Sequence, residues 1–242
     1  MDALRIEALS KTYGSLRAVD QLSLTVEHGE LFSLLGVNGA GKTTTVKMLS
    51  CLTRPTSGDA FLYGKSILSD TAAVKSMIAV SPQETAIAPG LTVRENLALM
   101  CGLFGFSREK QEERIQDLTG LLDLTEVLDR KGGKLSGGWQ RRLSIAMALI
   151  SQPQILFLDE PTLGLDVLAR SELWDLIRSL KGKTTVILTT HYMEEAEALS
   201  DRVGIMKEGK LLVTATPAQI KEIAGTDRFE EAFIRIVKGA AK

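Results

Sequence analysis

The chain has 242 residues, enough for one enzyme-sized domain with a sub-lobe and a substantial apolar core. Its 29 basic and 30 acidic residues leave a formal net charge of −1, so composition provides no long-range attraction to nucleic acid or anionic lipid. The longest stretch without a charged residue, residues 143–158, contains polar residues and is shorter than the ~20 apolar residues that cross a bilayer. We therefore expect neither a nucleic-acid partner nor a membrane span.

The N-terminus and the cysteines indicate the cellular compartment. Residues 1–7 include two acids and lack a basic region followed by an apolar one, so we expect no secretory signal and a cytoplasmic protein. Cys51 and Cys101 have no paired spacing and no His neighbours. This pattern predicts two reduced thiols rather than a zinc site or a disulfide framework.

Short β-rich runs separated by turn residues occupy the first part of the chain, at residues 4–9, 22–26 and 31–35. They predict a partly antiparallel β layer. From residue 31 onward, compact apolar runs alternate with longer helical segments, and these runs recur at residues 77–80, 155–158 and 185–188. Such alternation is typical of buried parallel strands.

The segment between residues 84 and 135 has the pattern of helices rather than strands. Ser107 is of a type favoured at helix N-caps, and apolar residues recur along one face after it, at Ile115, Leu118 and Leu122. We predict a helical lobe, residues 85–150, inserted into a core lobe made of residues 1–84 and 151–242. The whole is predicted to be one α/β domain, with a mostly parallel sheet, an N-terminal antiparallel β subdomain and an inserted helical subdomain.

A glycine-rich sequence lies between the first buried run and a helical segment. It has the spacing G-x-x-x-x-G-K-[ST] and comprises Gly36, Val37, Asn38, Gly39, Ala40, Gly41, Lys42 and Thr43, followed by Thr44. Glycines let backbone N–H groups curl around phosphate oxygens, and the following helix adds its positive dipole end. Lys42 supplies a point charge and Thr43 a hydroxyl for Mg²⁺. The alternative, a glycine-rich turn with a solvated lysine, leaves the placement between strand and helix unexplained.

The apolar run at residues 155–158 ends in Asp159, Glu160 and Pro161. Acids at the end of a buried strand need a cation or water beside them. Because side chains alternate along a strand, the two carboxylates should face opposite sides, so that one serves a metal and the other a water molecule. Pro161 should bias Glu160 towards an extended backbone. A solvated strand end is the alternative interpretation.

Two further strand-like runs end in polar residues and place Gln83 and His191 after them. In an open parallel sheet, ligands bind beyond the carboxyl ends of the strands. We therefore expect five polar side chains to meet in one crevice: Lys42, Gln83, Asp159, Glu160 and His191.

A second glycine-rich helix start, residues 135–139, does not follow a strand. Ser136 is of an N-cap type, and Gly137 and Gly138 expose backbone N–H groups, so this sequence predicts a second anion site. One nucleotide does not obviously need two such cradles on one chain.

With these motifs the sequence resembles, over essentially its whole length, the ATP-binding subunit of ABC transporters, whose signature is usually written LSGGQ. The resemblance implies an ATPase with a P-loop NTPase core that forms a head-to-tail dimer in the presence of ATP, in the simplest case a homodimer of two identical cassettes. Each subunit would place Ser136, Gly137 and Gly138 at the other's phosphate cradle. It also implies a peripheral position on the cytoplasmic face of the membrane, where the subunit energises export through a separate integral membrane permease. The sequence of residues 35–45 looks most like that of the family's drug, sodium or polysaccharide export branch.

The resemblance further implies roles for residues that match the family's motifs. Tyr13 looks like the residue that stacks on adenine, and Asp166 like the acid at the dimer interface. For hydrolysis, Gln83 looks like the residue that senses Mg²⁺ and the attacking water. Asp159 and Thr43 look like the residues that hold Mg²⁺. Glu160 looks like the general base, and His191 like the switch that contacts the γ-phosphate.

Three interpretations stay open at this point. Trp139 stands where the signature usually has Gln, which puts the sugar contact and dimer affinity in question, whereas Ser136 and both glycines should keep their phosphate contacts. The uncharged residues 96–106 form either a docking groove for a permease helix or ordinary core packing. The alternative function is a soluble ABC-type ATPase acting on ribosomes, chromosomes or DNA repair. Such relatives generally carry two cassettes, a long coiled coil or zinc modules, and the sequence has none of these.

Overall fold

The computed structural model describes residues 1–239. Its strands, in chain order, are β1 Asp2–Tyr13, β2 Leu16–Glu27, β3 Leu31–Leu35, β4 Ser57–Leu62, β5 Lys65–Ser66, β6 Ile78–Ser81, β7 Ile155–Asp159, β8 Thr185–Thr190, β9 Arg202–Lys207 and β10 Lys210–Ala215. Its helices are α1 Lys42–Leu49, α2 Thr71–Met77, α3 Val93–Leu103, α4 Arg108–Leu121, α5 Gly137–Leu149, α6 Val167–Ser179, α7 Met193–Leu199, α8 Pro217–Ala224 and α9 Phe229–Gly239. Among these described helices, none has the length and apolar character that a membrane crossing requires.

The first sheet is the antiparallel layer that the sequence predicts, with the strand order β2-β1-β4-β5. In β2, Leu22, Leu24 and Val26 are buried while the residues between them are exposed, which is the alternation of a sheet with one covered face. A tight turn at Gly14, with φ +56°, joins β1 to β2 and leaves Tyr13 opposite Leu16.

The second sheet has the order β10-β9-β3-β8-β7-β6, and only the β9–β10 pair is antiparallel. Every residue of β3, β7 and β8 is buried, because both faces of this sheet are covered. The predicted parallel strands are confirmed, although β6 begins one residue later than expected because Met77 ends α2. The sequence analysis did not identify β4 and β5 of the first sheet or β9 and β10 of the second.

The two faces of the parallel sheet pack against different layers. Ile155 and Phe157 point into the cluster shared with the antiparallel sheet, whereas Leu156 and Leu158 point into the cluster shared with α5 and α6. The sheet is therefore held between the N-terminal β layer and the helices.

Residues 93–149 contain the helices α3, α4 and α5, as the sequence predicts. Ser107 caps α4 by accepting a hydrogen bond from the Lys110 amide at 3.3 Å, and the expected apolar face of Ile115, Leu118 and Leu122 is buried. Short 3₁₀ turns at Thr125–Val127 and Gly132–Lys134 lead from α4 to α5. The exact bounds of the two lobes stay a prediction.

The order of the second sheet assembles the site. The adjacent strands β3, β8, β7 and β6 run parallel, so the segments that follow them begin at the same edge of the sheet. Four segments far apart in the chain are brought together there.

Candidate functional site

A cleft of about 650 Å³ lies at this edge of the sheet. Its lining comes from both sheets and comprises Tyr13, Leu16, Arg17, Ala18, Asn38, Gly39, Ala40, Gly41, Lys42, Thr43, Thr44, Gln83, Glu160 and Glu208. Most of the predicted phosphate cradle therefore faces one cleft together with Tyr13, Gln83 and Glu160. Gly36 and Val37 lie at the base of the cradle, where their carbonyl groups face Lys42.

The glycine-rich loop has a shape that only glycine permits at its last turn. Gly41 has φ +102°, and a Cβ atom there would lie 2.4 Å from the carbonyl oxygen of Ala18. A Cβ atom on Gly36 would lie 2.5 Å from the carbonyl oxygen of Met206. The two ends of the loop are thus packed closely against β9, at Gly36, and against β2, at Gly41.

Lys42 begins α1 and is almost fully buried at 5% exposure. Its Nζ donates to the carbonyl oxygen of Gly36 at 2.7 Å and forms an ion pair with Glu160 Oε1 at 3.1 Å. A buried ammonium group is tolerated only when its protons have partners, and these contacts supply them. The ammonium group is consequently held at the base of the loop, facing the end of β7.

Glu160 joins Lys42 to His191. Its Oε2 lies 2.6 Å from His191 Nδ1, while Oε1 pairs with Lys42. Its backbone N–H donates to both the carbonyl and the hydroxyl oxygen of Thr189, each at 3.1 Å. One carboxylate therefore connects the segments that follow β3, β7 and β8.

The backbone of Glu160 corrects one prediction. The residue has φ +49°, in the left-handed region, so the extended conformation expected before Pro161 is wrong. The bonds from its amide to Thr189 turn the chain away from the strand, and its carboxylate is held by two partners. A left-handed conformation at a residue other than glycine costs on the order of 1–3 kcal/mol, which surrounding contacts must offset.

Asp159 lies beside this group and faces the start of α1. Its Oδ1 accepts a hydrogen bond from the Thr43 hydroxyl at 3.2 Å and another from the Thr189 hydroxyl. Within residues 1–239, no cluster of three or more His, Cys, Asp or Glu side chains could hold a metal ion by itself. The adjoining oxygens of Thr43 and Asp159 fit Mg²⁺, which usually takes one or two protein oxygens and completes its shell with phosphate and water.

The five polar side chains that were expected to meet in one crevice differ in how directly they contact one another. The structure places Glu160 in direct contact with both Lys42 and His191, and Thr189 links Asp159 to the backbone amide of Glu160. Gln83 is exposed at the rim of the same cleft. The catalytic and binding roles of these residues stay predictions.

The residues predicted to form a second anion site lie outside the cleft. Ser136 is the N-cap residue of α5, as predicted, but its side chain makes no capping hydrogen bond. A Cβ atom on Gly138 would lie 3.2 Å from Cβ of Ala169, whose amide donates to Asp166 at 2.9 Å. The start of α5 and the start of α6 are thus neighbours on a surface away from the cradle of the same chain.

Trp139 packs on its own helical segment. Its ring lies 4.8 Å from the guanidinium carbon of Arg142, and Arg142 also pairs with Asp123 at 3.3 Å and with Glu172 at 2.5 Å. A cation held over an aromatic face fixes the orientation of the ring.

Sequence analysis missed several residues of the site. Leu16, Arg17 and Ala18 enter the cleft from β2, and Glu208 enters from the turn between β9 and β10. No local pattern distinguishes these residues, because their position depends on how the two sheets pack. Thr189 could have been predicted as a site residue, because it lies at the end of a strand-like run that the sequence analysis did identify and its hydroxyl contacts Asp159 and the Glu160 amide.

Glu195 is a further buried acid near this group. It lies on α7 with no exposed surface, and its Oε1 accepts a hydrogen bond from Trp174 Nε1 at 3.1 Å. Burial raises the pKa of Glu195, against the lowering effect of Thr190, Thr162 and Trp174, and the nearby Glu160 carboxylate raises it further. The site thus contains a carboxyl group that favours its neutral form.

Glu195→Gln should make the free energy of unfolding less dependent on pH above about 4.3, the ordinary Glu pKa. In the folded chain the Glu195 carboxyl stays protonated to a higher pH than in the unfolded chain. Its contribution to stability is therefore complete below the unfolded pKa and is lost as the pH rises through the raised folded pKa. Urea unfolding at several pH values should show that the advantage of Gln over Glu grows with pH.

Glu231→Gln is the control with the opposite sign. Hydrogen bonds from Thr226 and Arg235 lower the pKa of Glu231, so its stabilising contribution is present above the unfolded pKa and is lost as the pH falls. The advantage of Gln over Glu at position 231 should therefore shrink with rising pH. Equal pH dependence of the Glu195→Gln variant and the parent would contradict the assignment at position 195.

Comparisons with known proteins give consistent matches. The family described as ABC transporter matches residues 19–163. A daunorubicin resistance ATP-binding protein of Streptomyces coeruleorubidus is 42% identical, over 94% of this chain and 71% of the relative. A Nod factor export ATP-binding protein of Burkholderia lata is 43% identical, over 92% of this chain and 74% of the relative.

Solved structures agree with the sequence matches. An ATP-binding subunit of an ABC transporter superposes with a TM-score of 0.85 at 27% identity, covering 97% of this chain and 99% of that one. An ATP-binding cassette solved as a dimer in a post-hydrolysis state with ADP and Pi has a TM-score of 0.78 at 26% identity, over 88% of this chain and 98% of that one.

Proposed function

The chain belongs to the ABC transporter family and is an ATP-binding ATPase subunit, and from that premise we propose that it drives export through a separate permease by hydrolysing MgATP in the cleft described above. The observation that carries the assignment of the site is the contact of Lys42 and His191 with one carboxylate, Glu160, beneath the glycine-rich loop. A cradle for phosphate, a cation and a candidate base are all needed for phosphoryl transfer to water.

In this proposal each residue has a separate task. The loop amides and Lys42 bind the β- and γ-phosphates, and Thr43 and Asp159 would hold Mg²⁺. Gln83, at the rim of the cleft, is the residue that responds to bound Mg²⁺ and to the attacking water. Bound Mg²⁺ would neutralise the charge on the phosphate oxygens. The Glu160 carboxylate accepts a proton from the attacking water, and the 2.6 Å contact with His191 keeps that carboxylate oriented. Tyr13, at the mouth of the cleft, stacks on adenine.

We further propose that a second cassette, in the simplest case a second copy of this chain, completes the site. Ser136, Gly137 and Gly138 do not line the cleft of their own chain. Beside them, Val167 and Leu168 at the start of α6 are each 76% exposed, which is unusual for two adjacent apolar residues. A head-to-tail partner would cover them and bring its helix N-terminus to the γ-phosphate. The related cassette solved as a dimer supports this arrangement.

The permease partner is supported by a surface on α3. Residues 96–106 both pack internally and face solvent, since Leu97 and Cys101 are buried whereas Leu99, Leu103 and Phe104 are exposed. The exposed set suits the docking of a cytoplasmic helix from a membrane subunit, and this supports the proposed position of the chain on the cytoplasmic face of the membrane. Export is supported by the names of relatives that confer drug resistance or export Nod factor.

Complementation between two inactive variants tests the shared site. Lys42→Met removes the cradle's cation, and Ser136→Arg places a bulky side chain at the helix start that serves the partner. Each variant alone should hydrolyse almost no ATP. A mixture forms dimers with one intact site, built from Lys42 of one variant and Ser136 of the other, so phosphate release should rise well above the sum of the separate variants.

The control mixes Lys42→Met chains with chains that carry both substitutions, which cannot form an intact site. If each site belonged to a single chain, Ser136→Arg alone would hydrolyse ATP at the parent rate, because Ser136 does not line the cleft of its own chain, and the mixture would release no more phosphate than the sum of the two variants. Light scattering with MgATP measures whether dimers form, and an affinity tag on only one variant, with recovery of the untagged variant alongside it, shows that mixed dimers are present.

A further inference from the structure

Arg141 connects the signature helix α5 to the segment that carries Gln83. The residue is 4% exposed, and its guanidinium group donates from Nη1 to the Pro82 carbonyl oxygen at 2.6 Å and from Nη2 to the Gln83 carbonyl oxygen at 2.5 Å. One turn further along α5, Ser144 Oγ lies 3.0 Å from Ser81 Oγ, and both hydroxyls are buried. Helix α5 is thus bonded to three consecutive residues, namely the last residue of β6 and the two residues that follow it.

The charge of Arg141 makes this attachment unusual. Within the described residues, Arg141 has no salt bridge within 4.0 Å, so two backbone carbonyls are its direct partners. Burial lowers the pKa of its guanidinium group, while the more distant Asp159 and Glu195 raise it. A planar guanidinium group fixes the direction of each bond, so the two carbonyls are held in orientation as well as in distance.

We propose that Arg141 is a positioning residue for ATP hydrolysis, which transmits the position of the signature helix to Gln83. Ser136 and Arg141 are at one end of the same helix, about 7.5 Å apart along its axis at 1.5 Å per residue. A displacement of the Ser136 end therefore moves the backbone of Gln83 through the two guanidinium bonds. This inference rests on the role proposed above for Gln83.

The first test separates rate from affinity. In the purified full-length chain, Arg141→Gln should lower kcat for MgATP by about tenfold, since misplacing a catalytic group by even 1 Å can cost more than that. KM should change by less than about twofold, because Arg141 does not line the cleft. Arg141→Lys, which keeps the cation but loses the fork of two donors, should fall between Gln and the parent.

Arg114→Gln is the matched control. Arg114 lies on α4 and also donates to a backbone carbonyl, that of Leu149, at 2.8 Å, but it does not contact residues 81–83. Its substitution should leave kcat at the parent value. A drop in kcat as large as that of Arg141→Gln would show a general effect of loosening the helices and would overturn the proposal.

A double-mutant cycle tests whether Arg141 acts through Gln83. In a Gln83→Ala chain, the added Arg141→Gln change should lower kcat no further, since the group that it positions is already missing. If Arg141→Gln lowered kcat by the same factor in the parent chain and in the Gln83→Ala chain, the inference about Arg141 would be overturned and the role of Gln83 would stay intact. Parent-level hydrolysis by Gln83→Ala alone would remove the proposed role of Gln83, and the inference with it.

Thermal unfolding accompanies each measurement. If Arg141→Gln fails to unfold cooperatively, Arg141→Lys carries the cycle instead, because its ammonium group still satisfies one carbonyl. The same two outcomes, coupling or additivity with Gln83→Ala, then decide the proposal.

Discussion

Glu160→Gln should lower kcat for ATP hydrolysis by about 10²–10⁴-fold, the usual contribution of a general base. The amide keeps the size of the carboxylate but cannot accept the proton of the attacking water. Lys42 retains its bond to the Gly36 carbonyl at 2.7 Å, so ATP should still bind. Phosphate release and binding of a fluorescent ATP analogue measure the two effects separately.

The control for this substitution is Glu109→Gln, which makes the same chemical change at an exposed position on α4 and should leave hydrolysis at the parent rate. Hydrolysis by the Glu160→Gln chain at the parent rate would rule out Glu160 as the base. The same variant should also accumulate as an ATP-bound dimer, because closure is no longer reversed by hydrolysis. Light scattering that finds only monomer with MgATP would contradict the head-to-tail arrangement.

Gly41→Ala should destabilise the chain by about 2–4 kcal/mol and weaken ATP binding more than tenfold. The backbone at φ +102° is unfavourable for any residue with a Cβ atom, and that atom would lie 2.4 Å from the carbonyl oxygen of Ala18. Because the obstacle is backbone, the loop itself must shift and its N–H groups leave the phosphate positions. Urea unfolding without nucleotide and titration with a fluorescent ATP analogue give the two values.

Gly39→Ala is the matched control for stability. Gly39 also has a positive φ, +82°, but a Cβ atom there would meet no other atom within 4 Å. Only the cost of the backbone conformation applies, about 1 kcal/mol. Equal loss of stability in the two variants would show that contact with Ala18 does not shape the loop.

The parts of the site that sequence could predict are those with a local pattern or a general sheet rule. The cradle is continuous in sequence, since the glycine-rich loop follows β3 directly and ends at Lys42. The proximity of Glu160 and His191 follows from the rule that parallel strands place their carboxyl ends at one edge, even though the residues are distant in the chain. Both kinds of inference need no knowledge of how separate layers pack.

The remaining features depend on contacts between layers. Arg17 and Glu208 line the cleft only because the antiparallel sheet and the β9–β10 turn pack beside the loop. Proline after Glu160 favours an extended backbone, but the hydrogen bonds that the Glu160 amide donates to Thr189 outweigh that local preference. Likewise, the contact of Arg141 with Pro82 and Gln83 joins residues that no short motif relates.

The strand order also determines when the site can first exist during synthesis. Leu31 in β3 pairs with Val186 in β8, so the sheet neighbour that delivers His191 is translated long after the phosphate cradle. Forming such distant pairings is slow, and domains emerging from the ribosome cannot form them before both partners are available. A nascent chain that ends before β8 therefore carries a complete glycine-rich loop but no neighbour for β3 on that side. Newly made chains should consume no ATP until nearly the whole domain has left the ribosome.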